Sequence, residues 1–348
     1  MIKVLLLTDT KSGHESVSIG FIEIVEKKYQ IRTKTAIAKL TFSPLKFFLK
    51  YLINFFPNMP KWFICSTLFI SYKINAKQIQ RPDIIISTGG NTSFANILLS
   101  RYWNCINIYL SSLRGLKPEN FTLIYSIIDN KIPNEIVLET TPVSLKTDQK
   151  MIDELAVKYN INQEQTVWAL LIGGDSNEYK YSTEEYTDLV KKIIELAKKH
   201  GAKLLITTSR RTPVEAEKQI QKLTNGNNSV IKTILYNQKP EKLMGFFISC
   251  SSIVFCTEDS SSMITEVVQS QKPLYTLYPA KKNYHKKYDA FISKMKKMHF
   301  LYSFAIAKIS TISLNEPFCL YNNSTQSKII DTIKPILKKH ALINKEKD

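Results

Sequence analysis

Short apolar runs alternate with segments of helical period along almost the whole chain, and no other feature narrows the possible folds as much. The pattern is complete between residues 167 and 208. Residues 167–172 form an unbroken apolar run of strand length, and a polar loop follows. Over residues 182–200, Tyr186, Leu189, Val190, Ile193, Ile194 and Ala197 recur at helical spacing. Ser182 and Glu185 are spaced as a capping box, and Gly201 suits the stop. Residues 203–208 are the next strand. Strand, helix and strand in this order make a βαβ unit, whose strands run parallel because the helix carries the chain back. The series continues through a helix at 213–223, a strand at 230–235, a short helix at 241–248, a strand at 253–256, a helix at 263–270 and a strand at 273–277. The first half repeats it with strands at 4–7, 84–87 and 106–110 and helices at 15–28 and 93–101.

The expected fold class is therefore α/β, with two Rossmann-like, doubly wound domains facing across a cleft. A length of 348 residues suits two domains. The stretch 129–165 is polar, carries Pro133 and Pro142, and reads as a linker with a helix near 148–159. This places the domains at 1–145 and 146–348, with the last eleven residues as a fraying tail.

Charge and cysteines bound the partners. Lys and Arg number 48 against 30 Asp and Glu, a net +18, which favours nucleotides, nucleic acid or an anionic membrane surface. The lysines are spread over many segments and no helix-turn-helix, zinc-finger or aromatic RNP pattern occurs, so nucleic acid is not the expected partner. Five scattered cysteines without a C-x-x-C pair read as reduced thiols of a cytoplasmic protein. The apolar run at the N-terminus is too short for a signal peptide. The most apolar region, 45–72, is broken by Lys46, Lys50, Pro57, Pro60 and Lys61, well short of the ~18 residues a spanning helix needs. Lys46, Lys50 and Asn54 fall on one helical face and Phe48, Leu52, Phe55 and Phe56 on another, with Trp62 and Phe63 after two prolines. Such a segment either docks on anionic lipid or packs on the sheet as a helix hairpin.

The chemistry concentrates at strand-to-helix junctions. Half of the ten glycines fall in three of them, at Gly13, Gly89–Gly90 and Gly173–Gly174, the last followed by Asp175 and Ser176. Open α/β sheets bind ligands at the carboxyl ends of their strands, where glycine admits close backbone approach and helix N-termini receive anions. Each pair, taken alone, is also compatible with a simple tight turn. A fourth junction holds Thr257, Glu258, Asp259, Ser260, Ser261 and Ser262, with Glu266 one turn further on. Small hydroxyl residues opening a helix bind phosphate oxygens and the Glu accepts ribose hydroxyls, or else Asp259 or Ser260 is an ordinary N-cap. Ser209, Arg210 and Arg211 lie at another strand end, where paired arginines either offset a diphosphate leaving group or face solvent. No D-x-D motif and no His/Cys cluster of metal spacing is present, so neither a metal nor a cofactor is expected. Ser12, Gly13 and His14 open the first helix. There His14 is a base for an acceptor hydroxyl, a substrate hydrogen-bond donor, or a cap.

The segments SGHE, PDIIISTGG, LLIGGDS, LLITTSRRTP, TEDSSSMITEVV and KPLY together resemble the elongated-mitochondria-type family. Its bacterial members are described as glycosyltransferases and its plant relatives are linked to mitochondrial fission. The matching segments run from Thr8 to about Lys287. More distantly, the layout resembles the GT-B enzymes, including the lipid-linked N-acetylglucosaminyl transferase of peptidoglycan synthesis. The resemblance implies an acceptor-binding first domain and a nucleotide-sugar-binding second domain. Gly13 and His14 match the glycine-His loop on the acceptor side, Gly89 and Gly90 its second glycine loop, and Glu266 the ribose-binding Glu. The distant enzymes open the donor helix with Ser-Gly, where this chain has Asp259, Ser260 and Ser261, one residue longer.

The expected function is transfer of a sugar from a nucleotide-sugar donor to a lipid-linked or lipopolysaccharide-type glycan acceptor at the inner membrane face, without metal. His14, Arg210 and Arg211 are the catalytic candidates. Gly173, Gly174, Asp175, Ser176, Ser209, Asp259 to Ser262 and Glu266 are the donor-binding ones, and Ser12, Gly13, Gly89 and Gly90 lie on the acceptor side. The alternatives are a nucleotide-sugar epimerase of the same architecture and a non-catalytic membrane adaptor.

Overall fold

The structure is a computed structural model that describes residues 1–144, 149–162 and 164–342; of Ser12 it describes the backbone alone. The chain divides into two units, Met1–Ser144 with Asn323–Asp348, and Leu145–Asn322.

The first unit begins with β1 (Ile2–Thr8), α1 (Ser12–Glu26) and β2 (Ile31–Ile37), followed by α2 (Leu45–Phe55) and α3 (Lys61–Tyr72). It continues with β3 (Ile84–Ser87), α4 (Thr92–Trp103), β4 (Ile106–Tyr109), β5 (Leu123–Ser126) and β6 (Glu135–Val137). Its sheet has the order β2-β1-β3-β4-β5-β6 with every pair parallel. The chain goes outward from β1 to β2 and then crosses back to β3, so the topological switch lies between β1 and β3. One core cluster packs α1 on the sheet through Val17, Phe21 and Val25. A second packs α2, α3 and α4 on the other face through Leu49, Ile64 and Leu98. The stretch expected to be a linker gives up residues 135–137 to the sheet, because Ile124 and Tyr125 leave an open strand edge that β6 pairs. Asp148, the expected first residue of the helix there, lies outside the described residues.

The second unit starts with α5 (Gln149–Lys158), β7 (Val167–Leu171), β8 (Tyr179–Lys180), α6 (Thr183–Lys199) and β9 (Lys203–Thr207). Then come α7 (Val214–Thr224), β10 (Val230–Ile234), α8 (Met244–Cys250), β11 (Ile253–Thr257) and α9 (Ser261–Gln269). It closes with β12 (Leu274–Tyr278), β13 (Lys281–Lys282), α10 (Lys286–Lys297) and β14 (Tyr302–Ala305). The sheet order is β10-β9-β7-β11-β12-β14, again all parallel, with the switch between β7 and β11. Both bonds of the Ser182/Glu185 capping box form at the start of α6. The helix then buries the apolar stripe read from the sequence against β7 and β9.

The last helix, α11 (Ser324–Lys339), belongs to the first unit and not, as the expected boundary at 145/146 implies, to the second. Ile329, Ile333 and Leu337 recur every fourth residue and fill the core beside α1, and Thr332 bonds the hydroxyl of Tyr125 at 2.9 Å. Lys338 and Lys339 of the expected tail are helical, and residues 343–348 lie outside the described residues.

The 45–72 segment is a helix hairpin, but its faces are not those expected. Asn54 turns inward, donating to Gly115 O at 2.9 Å and accepting from Lys117 N at 3.1 Å, so it ties α2 to the segment after β4. Of the expected apolar face only Leu52 is buried, and Phe48, Phe55 and Phe56 are exposed. Both sides of α2 carry large apolar groups, and the helix buries the one that meets α4. Arg101 of α4 completes the attachment by donating to Ile53 O and Phe56 O, carbonyls that the end of α2 leaves without helical partners.

Candidate functional site

In the first unit the switch point brings two loops together. Leu7 of β1 pairs with Ser87 of β3, so the loops that follow these strands are neighbours. Thr10, at φ +64°, turns the chain sharply out of β1, and its N–H is accepted by Thr8 Oγ1 at 2.9 Å. That turn leaves Asp9 buried and facing the first turn of α1. Its carboxylate brackets Nδ1 of His14, at 2.9 Å from one oxygen and 3.1 Å from the other, and the Lys11 ammonium lies 3.3 Å away. Burial raises the Asp9 pKa, yet the hydrogen bond and charge of His14, with Lys11, outweigh it and bring the carboxyl down to about 2. With Nδ1 engaged by Asp9, Nε2 is the ring nitrogen left for a substrate.

The second loop is shaped to this ring. Gly89 has φ +99°, and a Cβ there would overlap the imidazole of His14. A Cβ on Gly90 would stand 2.9 Å from the guanidinium and Cδ of Arg114, whose own φ is +50°. His14 and Arg114 thus lie against successive residues of one glycine loop. Below it, buried Asn96 donates to Ser87 Oγ at 2.9 Å and accepts from Asn107, fixing the end of β3.

In the second unit the switch-point loops enclose a carboxylate. Gly173 N–H donates to Thr257 Oγ1 at 2.6 Å and Gly174 N–H to Asp259 Oδ2 at 3.1 Å. The same Oδ2 accepts from Arg211 Nη2, and Arg211 Nη1 reaches Asp175 O at 3.3 Å. A Cβ on Gly173 would overlap the Asp259 carboxylate and one on Gly174 the Arg211 backbone, so both glycines are there for close approach. The side chain of Asp259 is 0% exposed while that of Arg211 is 34% exposed, leaving one side of the guanidinium open. Burial pushes the Asp259 pKa up against the pull of Arg211 and Gly174 N–H. Next to this pair α9 begins at Ser261, two residues earlier than expected, with Ser260 as its N-cap accepting from Met263 N at 3.4 Å. The amides of the first turn point out of the helix without intrahelical acceptors, a ready anion site. Glu266 is half-buried on the following turn.

Other expected donor residues are committed within their loops. Asp175 accepts from Tyr181 N at 3.0 Å and pairs with Lys180, and Ser176 Oγ accepts from Glu178 N and Tyr179 N. Ser209 Oγ accepts from Arg211 N, closing the turn that aims Arg211 inward. Arg210 is exposed, whereas Arg211 is turned inward onto Asp259.

The residues that sequence reasoning missed are supports. Asp9 is the foremost, and a strand-end Asp five residues before a helix-opening His was its signal. Glu217, fully buried, accepts from Thr208 Oγ1 and Asn237 N and fastens the loop after β10 to the loop that carries Arg211. Glu258, also fully buried, accepts from Tyr179, Thr276 and Ser303, so it anchors the sheet end next to Asp259. Among the described residues no His, Cys, Asp and Glu side chains cluster as a metal site.

Comparison with known proteins gives a consistent architecture. Staphylococcus aureus MnaA, solved with UDP, superposes with a TM-score of 0.57 at 13% identity, over 97% of both chains. The UDP-GlcNAc 2-epimerase of Methanocaldococcus jannaschii gives 0.56 at 13% identity, over 96% of this chain and 99% of that one. The ADP-heptose lipopolysaccharide heptosyltransferase II of Escherichia coli gives 0.48 at 10% identity, over 98% and 100%. The first two superpositions, at such identities, show a likeness of fold alone, two Rossmann-like domains of GT-B type. No curated protein sequence matches the chain. The sequence profile described as Mitochondrial fission ELM1 matches residues 12–319.

Proposed function

For a chain that belongs to the mitochondrial fission ELM1 family and carries the GT-B fold, we propose a glycosyltransferase that moves a sugar from a nucleotide-sugar donor to a lipid-linked or lipopolysaccharide-type acceptor at a membrane face. The observation that carries this reading is the Asp9–His14 pair, a buried ionised carboxylate that orients an imidazole at a switch point. An adaptor needs no such pair.

In the second unit the first-turn amides of α9, the hydroxyls of Ser260, Ser261 and Ser262 and the open side of Arg211 bind the donor diphosphate. Glu266 accepts the ribose hydroxyls. In the first unit Nε2 of His14 takes the proton of the acceptor hydroxyl as its oxygen bonds to the anomeric carbon. The bond from that carbon to the phosphate oxygen breaks, and the nucleoside diphosphate leaves with the electron pair, its charge offset by Arg211 and the helix N-terminus. Asp9 stabilises the imidazolium so formed, and this route inverts the anomeric centre.

The test is a thermal-shift screen of the wild type and Glu266→Ala against UDP-, GDP-, dTDP-, CMP- and ADP-linked sugars. A donor stabilises the native state by mass action. One nucleotide class that raises the melting temperature of the wild type but not of the variant supports the donor site, and equal shifts in both remove Glu266 from it. Epimerisation is the second reading, favoured by the superposition on UDP-GlcNAc 2-epimerases over nearly the full chain. An epimerase converts its nucleotide sugar without an acceptor, and a transferase at most hydrolyses it.

A further inference from the structure

The positive charge of this protein is not spread evenly. Residues 27–118 contain fourteen Lys and Arg and a single carboxylate, Asp83, and so hold thirteen of the eighteen net charges. The exposed apolar side chains gather in the same region. Of the eighteen large hydrophobic residues that the described structure leaves exposed, nine lie between Phe42 and Ile70. Phe47, Phe48, Tyr51 and Phe55 share the outer face of α2, at 54–69% exposure, while Leu49, Leu52 and Ile53 are buried on the inner one. On α3 Trp62 is 70% exposed and Phe69 55%. Lysines rim these rings: Lys46 lies over Phe47 at 5.0 Å, Lys73 over Phe69 at 5.4 Å and Lys117 over Phe55 at 5.6 Å.

We propose that the outer face of α2 and α3 is a docking surface for an anionic lipid bilayer, on which the hairpin lies flat. Aromatic rings flanked by ammonium groups suit the boundary between headgroups and acyl chains, where a helix buries its apolar face by roughly 5–10 Å. At 11 and 12 residues neither helix approaches the ~20 that a crossing needs. Among the described residues no helix is long and apolar enough to cross a membrane. Residues 42–73 carry no carboxylate, so anionic headgroups meet no repulsion there, and each lysine near the surface adds attraction. A protein partner for so large an aromatic face would itself have to be both apolar and strongly acidic, whereas an anionic bilayer supplies both properties at once.

The inner face of the hairpin connects this surface to the candidate base. Asn54 bonds Gly115, Arg114 lies against Gly90, and His14 lies against Gly89. This run of contacts links the docking face to the His14 loop and favours, as the acceptor class, an amphiphile taken directly from the bilayer. This consequence rests on the transferase reading, and the docking itself does not.

Flotation of the full chain with phosphatidylcholine vesicles, with and without phosphatidylglycerol at about a third of the lipid, tests the proposal. Binding at low salt is expected to be at least tenfold stronger to the anionic vesicles, and tryptophan fluorescence is expected to rise and shift to the blue in the wild type but not in Trp62→Ser. Tyr51→Ser/Phe55→Ser/Trp62→Ser, all at exposed positions, is expected to abolish flotation with an unchanged far-ultraviolet spectrum and melting temperature. Lys46→Glu/Lys61→Glu is expected to weaken it at least tenfold. No flotation of the wild type at low salt, or flotation untouched by the aromatic variant, would overturn the proposal. So would a stable dimer in sedimentation that the aromatic variant dissolves. The donor thermal shift measured on the same variant keeps a failure of docking separate from a failure of the donor site.

Discussion

Asp9 holds His14 from both carboxylate oxygens, at 2.9 and 3.1 Å from Nδ1, while Gly89 leaves the ring just enough room. Asp9→Asn keeps the shape of the side chain and removes the charge that would stabilise an imidazolium. Sugar transfer is expected to fall by about 100-fold or more, with the thermal shift produced by the donor nucleotide unchanged. Initial rates alongside the shift measurement check this.

The same carboxylate makes a pH-dependent contribution to stability. Its folded pKa of about 2 lies below the ordinary 3.8, so its stabilisation is fully present above about pH 4 and is lost as the pH falls toward 2. Wild type is expected to lose on the order of 2 kcal/mol across that window relative to Asp9→Asn. Urea unfolding of both proteins between pH 2 and 5 measures the difference.

Gly89→Ala places a methyl group into the imidazole at a backbone conformation that L residues rarely adopt. A loss of about 1–3 kcal/mol and near-complete loss of transfer are expected. Gly201→Ala is the control. It also has positive φ, at +64°, but open space around it, so about 1 kcal/mol and no effect on transfer are expected.

Arg211 is the charge partner of a carboxylate with no exposure. Arg211→Ala leaves that carboxylate uncompensated and is expected to cost about 3–5 kcal/mol along with donor binding. Adding Asp259→Asn removes the buried charge, so the double variant is expected to recover much of the stability and none of the donor affinity. A double-mutant cycle by urea unfolding, with thermal shifts on the folded variants, tests both halves.

The central strands were legible because they are buried on both faces and read as unbroken apolar runs, as at residues 167–172 and 84–87. The edge strand β2, Ile31–Ile37, was not, since most of its residues face solvent and it carries no apolar pattern to find. The short strands β6 and β14 were missed as well, because their residues are only partly buried and form no unbroken apolar run. In the candidate site, composition singled out junctions that the fold places at the switch points, without saying which polar atoms were already committed. Asp175, Ser176 and Ser209 stand at those junctions and spend their side chains on the loops themselves. Asp9 escaped notice because its meeting with His14 depends on the left-handed turn at Thr10, a conformation that a threonine does not advertise. In α2 the spacing of residues was correct, but a helix with large apolar groups all round does not reveal its buried side until α4 is in place.

Because α11 packs in the first unit, the second is topologically an insert, leaving the first at Ser144 and returning to it at Asn323. A ribosome therefore delivers every residue of the second unit before the first has received the helix whose Ile329, Ile333 and Leu337 complete its core. Although it begins 144 residues later, the second unit is the one able to finish folding first. The unit that carries His14 therefore stays incomplete until residues 324–339 have followed the whole of the second unit out of the ribosome.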